Sequence, residues 1–187
     1  MGHTWQVHFE RSENTGKSWQ RIGPVNDGRS IHAIQPTLLV HPHHRLQAIG
    51  RTEENHLFEV WSDDNGLTWG PLTLMDMPNN NSGIDAVTMT NGQHALVYNH
   101  AQNDPNSTKP KGVRSPLNLA ISTDGKNWQA ALILENEPQS QFSYPAIIQS
   151  RDGLLQITYT WKRLKIKHAI VDPKRLQTRP IVNGIWP

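Results

Sequence analysis

Ser62-Asp63-Asp64-Asn65-Gly66-Leu67-Thr68-Trp69 is the stretch of sequence that decides the fold. It recurs as Ser12-Glu13-Asn14-Thr15-Gly16-Lys17-Ser18-Trp19 and, one residue shorter, as Ser122-Thr123-Asp124-Gly125-Lys126-Asn127-Trp128. The three tryptophans lie 50 and 59 residues apart. Short strands that recur with a period of about 40–50 residues are typical of a β-propeller. The repeat therefore predicts an all-β fold in which equivalent residues of successive sheets meet around one axis.

Around these boxes, short apolar runs alternate with turn residues, which indicates extended segments rather than helices. Labelled A to D from the axis outward, the strands read C-D, then A-B-C-D twice, then A-B-C, about 13 in all. Each box falls in a C-to-D turn, where its Asp or Asn caps the turn and its Trp packs between neighbouring sheets. Residues 1–172 are thus predicted to form an incomplete propeller of about three and a half four-stranded blades, whereas a six-bladed ring needs about 24 strands. Residues 173–187 carry no box and stay unassigned.

The composition limits the kinds of partner and ligand that the chain is expected to bind. With 187 residues and a net charge of +2, the chain fits one domain and gives no reason to expect nucleic acid or a membrane surface. It has no cysteine, which excludes disulfides and thiolate metal sites, and His41, His43 and His44 are interpreted as solvated turn residues. No apolar run approaches the roughly 20 residues that span a bilayer, and we expect no signal peptide. We expect no metal and no cofactor, and the compartment stays open.

The repeat also predicts a pocket. Sixteen residues after each box tryptophan stands a residue at the start of an innermost strand: Gln35, Asp85 and Tyr144. Because equivalent positions ring the axis, we expect these side chains to converge at one mouth of the channel. The ends of the B strands and the start of one C strand open on the same face, and the loop Ala101–Val113 is expected over it. Those strand ends carry Arg51, Asn99, His100, Trp161, Arg163 and Arg114.

This set of side chains suits an anionic, hydroxyl-rich ligand. Arginines bind carboxylates in bidentate fashion, and Trp161 could stack on the face of a sugar. The alternative is structural, because Arg51 and Asp85 could form a buried ion pair that ties the sheets together. The spacing alone leaves both interpretations open.

Over residues 4–172 the chain resembles bacterial sialidase-like proteins with Asp-box (BNR) repeats. The resemblance implies a site in which three arginines hold the substrate carboxylate, a Tyr is the nucleophile, a Glu assists it, and an Asp is the acid/base. Arg114, at the start of Arg114-Ser-Pro-Leu-Asn-Leu-Ala-Ile-Ser-Thr-Asp124, resembles the last of those arginines. Arg51 resembles the middle one, and Tyr144 resembles the nucleophile.

Two departures from that pattern affect the chemistry. Gln35 stands where the resemblance implies Glu, and the blades that would carry the first arginine and the acid/base are absent from this sequence. A Tyr has a pKa of about 10 and needs a neighbouring base, whereas Gln cannot accept a proton at neutral pH. Asp85 or His100 could replace the Glu only within hydrogen-bond reach of Tyr144.

The favoured hypothesis is a sialidase-like glycoside hydrolase domain that acts on acidic sugars, of the exo-glycosidase type. Without a leaving-group acid, we do not expect an isolated copy to hydrolyse substrate. Two alternatives stay open: a non-catalytic carbohydrate-binding propeller, and a lyase-like propeller that acts on uronate polymers with Tyr or His as the base. The expected partners are an acidic carbohydrate and either a second copy of the chain or missing N-terminal blades that complete the ring.

Overall fold

The computed structural model describes residues 4–103 and 113–187, and it confirms the all-β prediction. Within these residues the only helical element is one 3₁₀ turn, and no helix has the length and hydropathy needed to cross a membrane. The loop predicted over the mouth lies partly outside the described residues, because 104–112 are not among them.

In the described part of the chain, the strands form four antiparallel sheets in sequence order. The first holds β1 (Phe9–Arg11) and β2 (Gln20–Ile22); the second holds β3 (Ala33–Val40), β4 (Leu46–Thr52), β5 (His56–Ser62) and β6 (Thr73–Pro78); the third holds β7 (Asp85–Thr88), β8 (His94–Tyr98), β9 (Leu117–Ser122) and β10 (Trp128–Glu135); and the fourth holds β11 (Phe142–Gln149), β12 (Leu155–Trp161) and β13 (Lys165–Val171). A short strand, β14 (Arg179–Pro180), adds to the outer edge of the third sheet beside β10.

Apolar clusters fill the spaces between successive sheets. Phe58 belongs to the cluster at the first and second sheets, whereas its neighbour Leu57 belongs to the cluster between the second and third. In the same way, Leu96 faces the second sheet and Val97 faces the fourth. Because side chains alternate along a strand, each inner sheet contributes to two cores. The sheets therefore stack face to face, as the blades of a propeller do.

The boxes lie in the turns between β1 and β2, β5 and β6, and β9 and β10, as predicted. In the second box, Ser62 Oγ accepts from the Gly66 amide at 2.8 Å, and Asp64 Oδ1 accepts from the Thr68 amide at 2.8 Å. The Thr68 hydroxyl and amide together lower the pKa of Asp64 to about 2. The box carboxylate therefore stabilises the turn in which it lies.

The box tryptophans pack less uniformly than expected. Trp128 is 3% exposed in the core between the second and third sheets, and Trp69 stacks on Phe9 with ring centroids 3.9 Å apart. Trp19, by contrast, is 62% exposed. The expectation that every box tryptophan packs between sheets is wrong for Trp19, because no described sheet covers the outer side of β1 and β2.

Residues 173–187, which the sequence left unassigned, pack on the third sheet. After the 3₁₀ turn Pro173–Arg175, β14 pairs with β10, and the Ile181 amide donates to the Trp128 carbonyl at 3.1 Å. Ile181 and Trp186 then cover the core between the second and third sheets. The tail closes the outer end of that core.

The innermost strands β3, β7 and β11 lie side by side. Thr37 Oγ1 donates to Asp85 Oδ1 at 2.9 Å, and the Val40 amide donates to Thr88 Oγ1 at 2.9 Å, so β3 and β7 run in the same direction. The Ile147 amide donates to Asp85 Oδ2 at 2.9 Å and joins β11 to β7. The three strands therefore begin at the same end, and we call that end the mouth.

Candidate functional site

Gln35 and Tyr144 stand at the mouth on matching backbone irregularities. Each has a positive φ, 53° for Gln35 and 51° for Tyr144, and the ladder register shifts at both positions. A β-bulge re-aims a side chain, and a non-glycine residue in this conformation costs roughly 1–3 kcal/mol. Each residue precedes a proline, Pro36 or Pro145. A following proline and a bulge therefore occur together at both positions, where the two equivalent side chains depart from the regular alternation of their strands.

Tyr144 lies between a guanidinium group and a glycine. Its side chain is 55% exposed, the Arg114 Cζ atom is 5.0 Å from its ring centroid, and the Arg114 guanidinium hydrogen-bonds its hydroxyl. A Cβ atom at Gly83 would lie 3.1 Å from Tyr144 Cδ1, so the missing side chain leaves room for the ring. The phenol is thus held in place and still open to solvent.

Three arginines act on the Tyr144 phenol. The hydrogen bond from Arg114 lowers the pKa of Tyr144 below 10.0, as do the positive charges of Arg114, Arg51 and Arg163. Burial opposes this effect, but the pKa stays lowered because the contributions of Arg114 are larger. The mouth is therefore a site of positive potential with a phenol among the guanidinium groups.

Arg51 keeps hydrogen-bond donors free. Its Nη1 donates to the Asn81 carbonyl at 2.8 Å, and its Cζ lies 5.6 Å from the Trp5 ring centroid. Its buried Nε has no hydrogen-bond partner in the part of the chain that the structure describes. Burial lowers the pKa of Arg51, but a guanidinium stays charged at neutral pH. Arg51 therefore contributes positive charge at the mouth, whereas its Nε atom is not accessible from solvent.

We expect one of the three tyrosines to titrate below pH 10.0. Burial raises the pKa of both Tyr98 and Tyr159, so phenolate absorbance that develops below pH 10.0 reports Tyr144 alone. An ultraviolet pH titration of the folded protein measures this, and Tyr144→Phe should remove the transition. A transition that persists in Tyr144→Phe would contradict the assignment.

Asp85 shares the phase of Gln35 and Tyr144 but not their environment. Its carboxylate accepts from the Thr37 hydroxyl, from its neighbour's amide at 2.9 Å and from the Ile147 amide. Both oxygens therefore tie inner strands together, and neither bonds Tyr144. The prediction of a catalytic role is not supported. The alternative ion pair with Arg51 is also wrong, since the described residues contain no such pair.

His100 faces the tail rather than Tyr144. Its Nδ1 is 2.6 Å from the Tyr98 hydroxyl, the Gly184 backbone hydrogen-bonds the ring, and Trp186 packs edge-on with centroids 5.4 Å apart. Burial lowers the pKa of His100, so the ring is neutral near pH 7. The prediction that His100 assists Tyr144 as a base is therefore not supported by this arrangement.

Three further predicted residues differ in what they offer a ligand. Gln35 is exposed, and its amide has no hydrogen-bond partner within residues 4–103 and 113–187. Trp161 carries the ammonium groups of Lys162 and Lys165 at 4.5 and 4.8 Å from its ring centroid, so its stacking on a sugar stays a prediction. Asn99 is fully buried.

A family model described as a BNR repeat-like domain matches residues 1–157. The chain belongs to this family. No curated protein matches it. In this BNR repeat-like domain, the boxes form turns of the fold, and the polar side chains of the candidate site lie at the mouth.

Solved structures with this fold include several sialidases. A mutant NanB sialidase from Streptococcus pneumoniae superposes with a TM-score of 0.68 at 14% identity, covering 93% of this chain and 28% of that one. The intramolecular trans-sialidase from Ruminococcus gnavus gives 0.71 at 17%, covering 95% and 40%, and the leech intramolecular trans-sialidase gives 0.65 at 17%, covering 95% and 27%. At these identities the likeness shows the fold alone. The BNR repeat-like domain thus spans well under half of each relative.

Sequence reasoning missed some residues of the mouth. Gly83 precedes Asp85 by two positions, and its sequence gives no sign of contact with Tyr144. Trp5 and the Asn81 carbonyl hold Arg51 from loops that carry no repeat signal. Among the described residues of this domain, no group of three or more His, Asp or Glu side chains could hold a metal ion.

Proposed function

We propose that this chain forms the carboxylate-binding side of a sialidase-type glycoside hydrolase site for acidic sugars. The observation that carries the proposal is the position of the Tyr144 phenol among Arg51, Arg114 and Arg163. A sialic acid has a carboxylate next to its reacting carbon, which would repel an anionic nucleophile. Arginines can bind that carboxylate while a tyrosine approaches the carbon.

The same arginines affect the ionisation of Tyr144 in the absence of the Glu that the resemblance implies. Gln35 lies at the mouth and neither Asp85 nor His100 bonds Tyr144, so no described carboxylate or imidazole is hydrogen-bonded to the phenol. The positive charges lower the pKa of Tyr144, so a larger fraction of the exposed phenol is ionised at a given pH. Solvent can then accept the proton directly. A leaving-group acid must still come from elsewhere.

We further propose that the four sheets are about three and a half blades of a six-bladed propeller. The chain spans 28% of the NanB sialidase and 40% of the Ruminococcus gnavus enzyme. The exposed Trp19 and the three-stranded fourth sheet are surfaces on which further blades could pack. In this proposal, the rest of a longer protein or a second copy supplies the acid.

A paired ligand comparison tests the site. The purified chain should bind an unsaturated sialic acid in solution by calorimetry or ligand-observed NMR, and it should bind the methyl ester of the same sugar at least about tenfold more weakly, because the ester lacks the charge that the arginines recognise. Equal binding of acid and ester would overturn the proposal. Release of phenol from an aryl sialoside, compared with Tyr144→Phe, tests the hydrolytic step separately.

A second candidate is a non-catalytic module that binds acidic carbohydrate. Gln35 favours it, because the mouth then has the arginines that hold an anion without the base that activates Tyr144. Binding that survives Tyr144→Phe, together with no hydrolysis in any completed assembly, would select this candidate over the hydrolase.

A further inference from the structure

One buried side chain joins the two segments that carry the mouth. Asn99 follows β8 and is 0% exposed. The two protons on its Nδ2 are shared among three backbone carbonyls: that of Arg114 at 2.9 Å, that of Pro116 at 2.8 Å and that of Phe142 at 3.0 Å. A single amide group thus links two stretches of backbone, 114–116 and Phe142, that lie far apart in the sequence.

The orientation of this amide is fixed by chemistry. Turning it over would bring its oxygen against three carbonyl oxygens, none of which can donate. In the present orientation, Asn99 Oδ1 is buried and has no partner in the described residues. A buried acceptor without a partner is destabilising. An apolar residue at this position would avoid that cost, but it would also leave the three carbonyls without the Asn99 donor.

One of these carbonyls belongs to Arg114 of the candidate site, and another belongs to Phe142, close to Tyr144 in sequence. Arg114 supplies the guanidinium that bonds the phenol, and Phe142 lies two residues before Tyr144 on β11. The Arg114 carbonyl also accepts from the Phe142 amide at 2.9 Å. Asn99 therefore completes a link in which the backbones of the arginine and the tyrosine are held against each other.

We propose that Asn99 is a positioning residue that sets the Arg114 guanidinium against the Tyr144 hydroxyl. This inference rests on the proposed function and replaces the expectation that Asn99 contacts substrate, because its side chain is fully buried and its amide protons are already donated. Its role is exerted through Arg114 and Tyr144, which face the ligand.

The test compares Asn99→Ala with Asn118→Ala. Asn118 is a matched control because it is also buried, 1% exposed on β9, and its Oδ1 accepts from the His100 amide at 3.4 Å, away from Arg114 and Tyr144. We expect Asn99→Ala to raise the phenol pKa of Tyr144 toward 10.0, as the hydrogen bond to Arg114 is lost. Asn118→Ala should leave the Tyr144 titration unchanged, whatever it does to the melting temperature.

Two outcomes overturn the proposal: an unchanged Tyr144 titration in folded Asn99→Ala, or the same shift in Asn118→Ala. If Asn99→Ala does not fold, Asn99→Ser keeps one donor and should give a smaller shift. In the wild-type protein, the side-chain amide nitrogen of Asn99 should also titrate in NMR spectra with the midpoint of Tyr144, and its failure to do so counts against the link. These measurements need no sugar, so they fail or succeed independently of carboxylate binding.

Discussion

Arg114→Ala is expected to weaken binding of an unsaturated sialic acid by about 10- to 100-fold. The reason is that a charge-assisted hydrogen bond to a carboxylate contributes about 1.5–3 kcal/mol, and Arg114 is the arginine that also bonds Tyr144. The same substitution removes the largest cause of the lowered Tyr144 pKa, so the phenol should titrate closer to 10.0. Calorimetry measures the first effect and ultraviolet titration the second.

Two further variants test this prediction: one separates the charge of Arg114 from its geometry, and the other is a surface control. Arg114→Lys keeps the positive charge but loses the planar fork, so affinity should fall less than in Arg114→Ala and more than in the wild type. Arg151→Ala removes an exposed arginine in the turn between β11 and β12 and should change neither readout. Wild-type affinity in Arg114→Ala would show that the anion binds elsewhere.

The repeat phase predicted the mouth because equivalent positions of successive sheets lie at equivalent places. It placed Gln35 and Tyr144 at the starts of β3 and β11, and the structure gives both the same bulge. The repeat phase did not predict the environment of Asp85. This residue begins β7 without a bulge, and its carboxylate points toward the neighbouring strands. The proline that follows the other two residues is the local difference; Ala86 follows Asp85.

For residues at the strand ends, the sequence predicted the face of the propeller but not the direction in which each side chain points. Asn99 and His100 are adjacent, so they point to opposite sides, and a one-residue shift exchanges their environments. The structure turns His100 toward Trp186, in a tail whose position the repeat did not indicate. Arg51 and Arg114 were easier to predict, because a long guanidinium side chain reaches a shared mouth from many backbone positions.

Asp85→Ala is expected to lower the free energy of unfolding by about 3 kcal/mol. The carboxylate accepts three hydrogen bonds, two of which join β7 to β3 and β11, and bonds to a charged acceptor contribute about 1.5–3 kcal/mol each where solvent is excluded. Asp85 is partly exposed, so the sum is well below three times that amount. Urea denaturation followed by tryptophan fluorescence measures the change.

The control for Asp85→Ala is Asp76→Ala. Asp76 lies on β6, is exposed, and has no hydrogen-bond or ion-pair partner within the described residues, so its removal should change stability by less than about 0.5 kcal/mol. Asp85→Asn keeps one acceptor and should fall between the two. If Asp85→Ala unfolds at the same urea concentration as Asp76→Ala, contacts other than the Asp85 carboxylate, such as the Val40–Thr88 hydrogen bond and apolar packing, hold the inner strands. The mouth would then not depend on this carboxylate for the spacing of Gln35 and Tyr144.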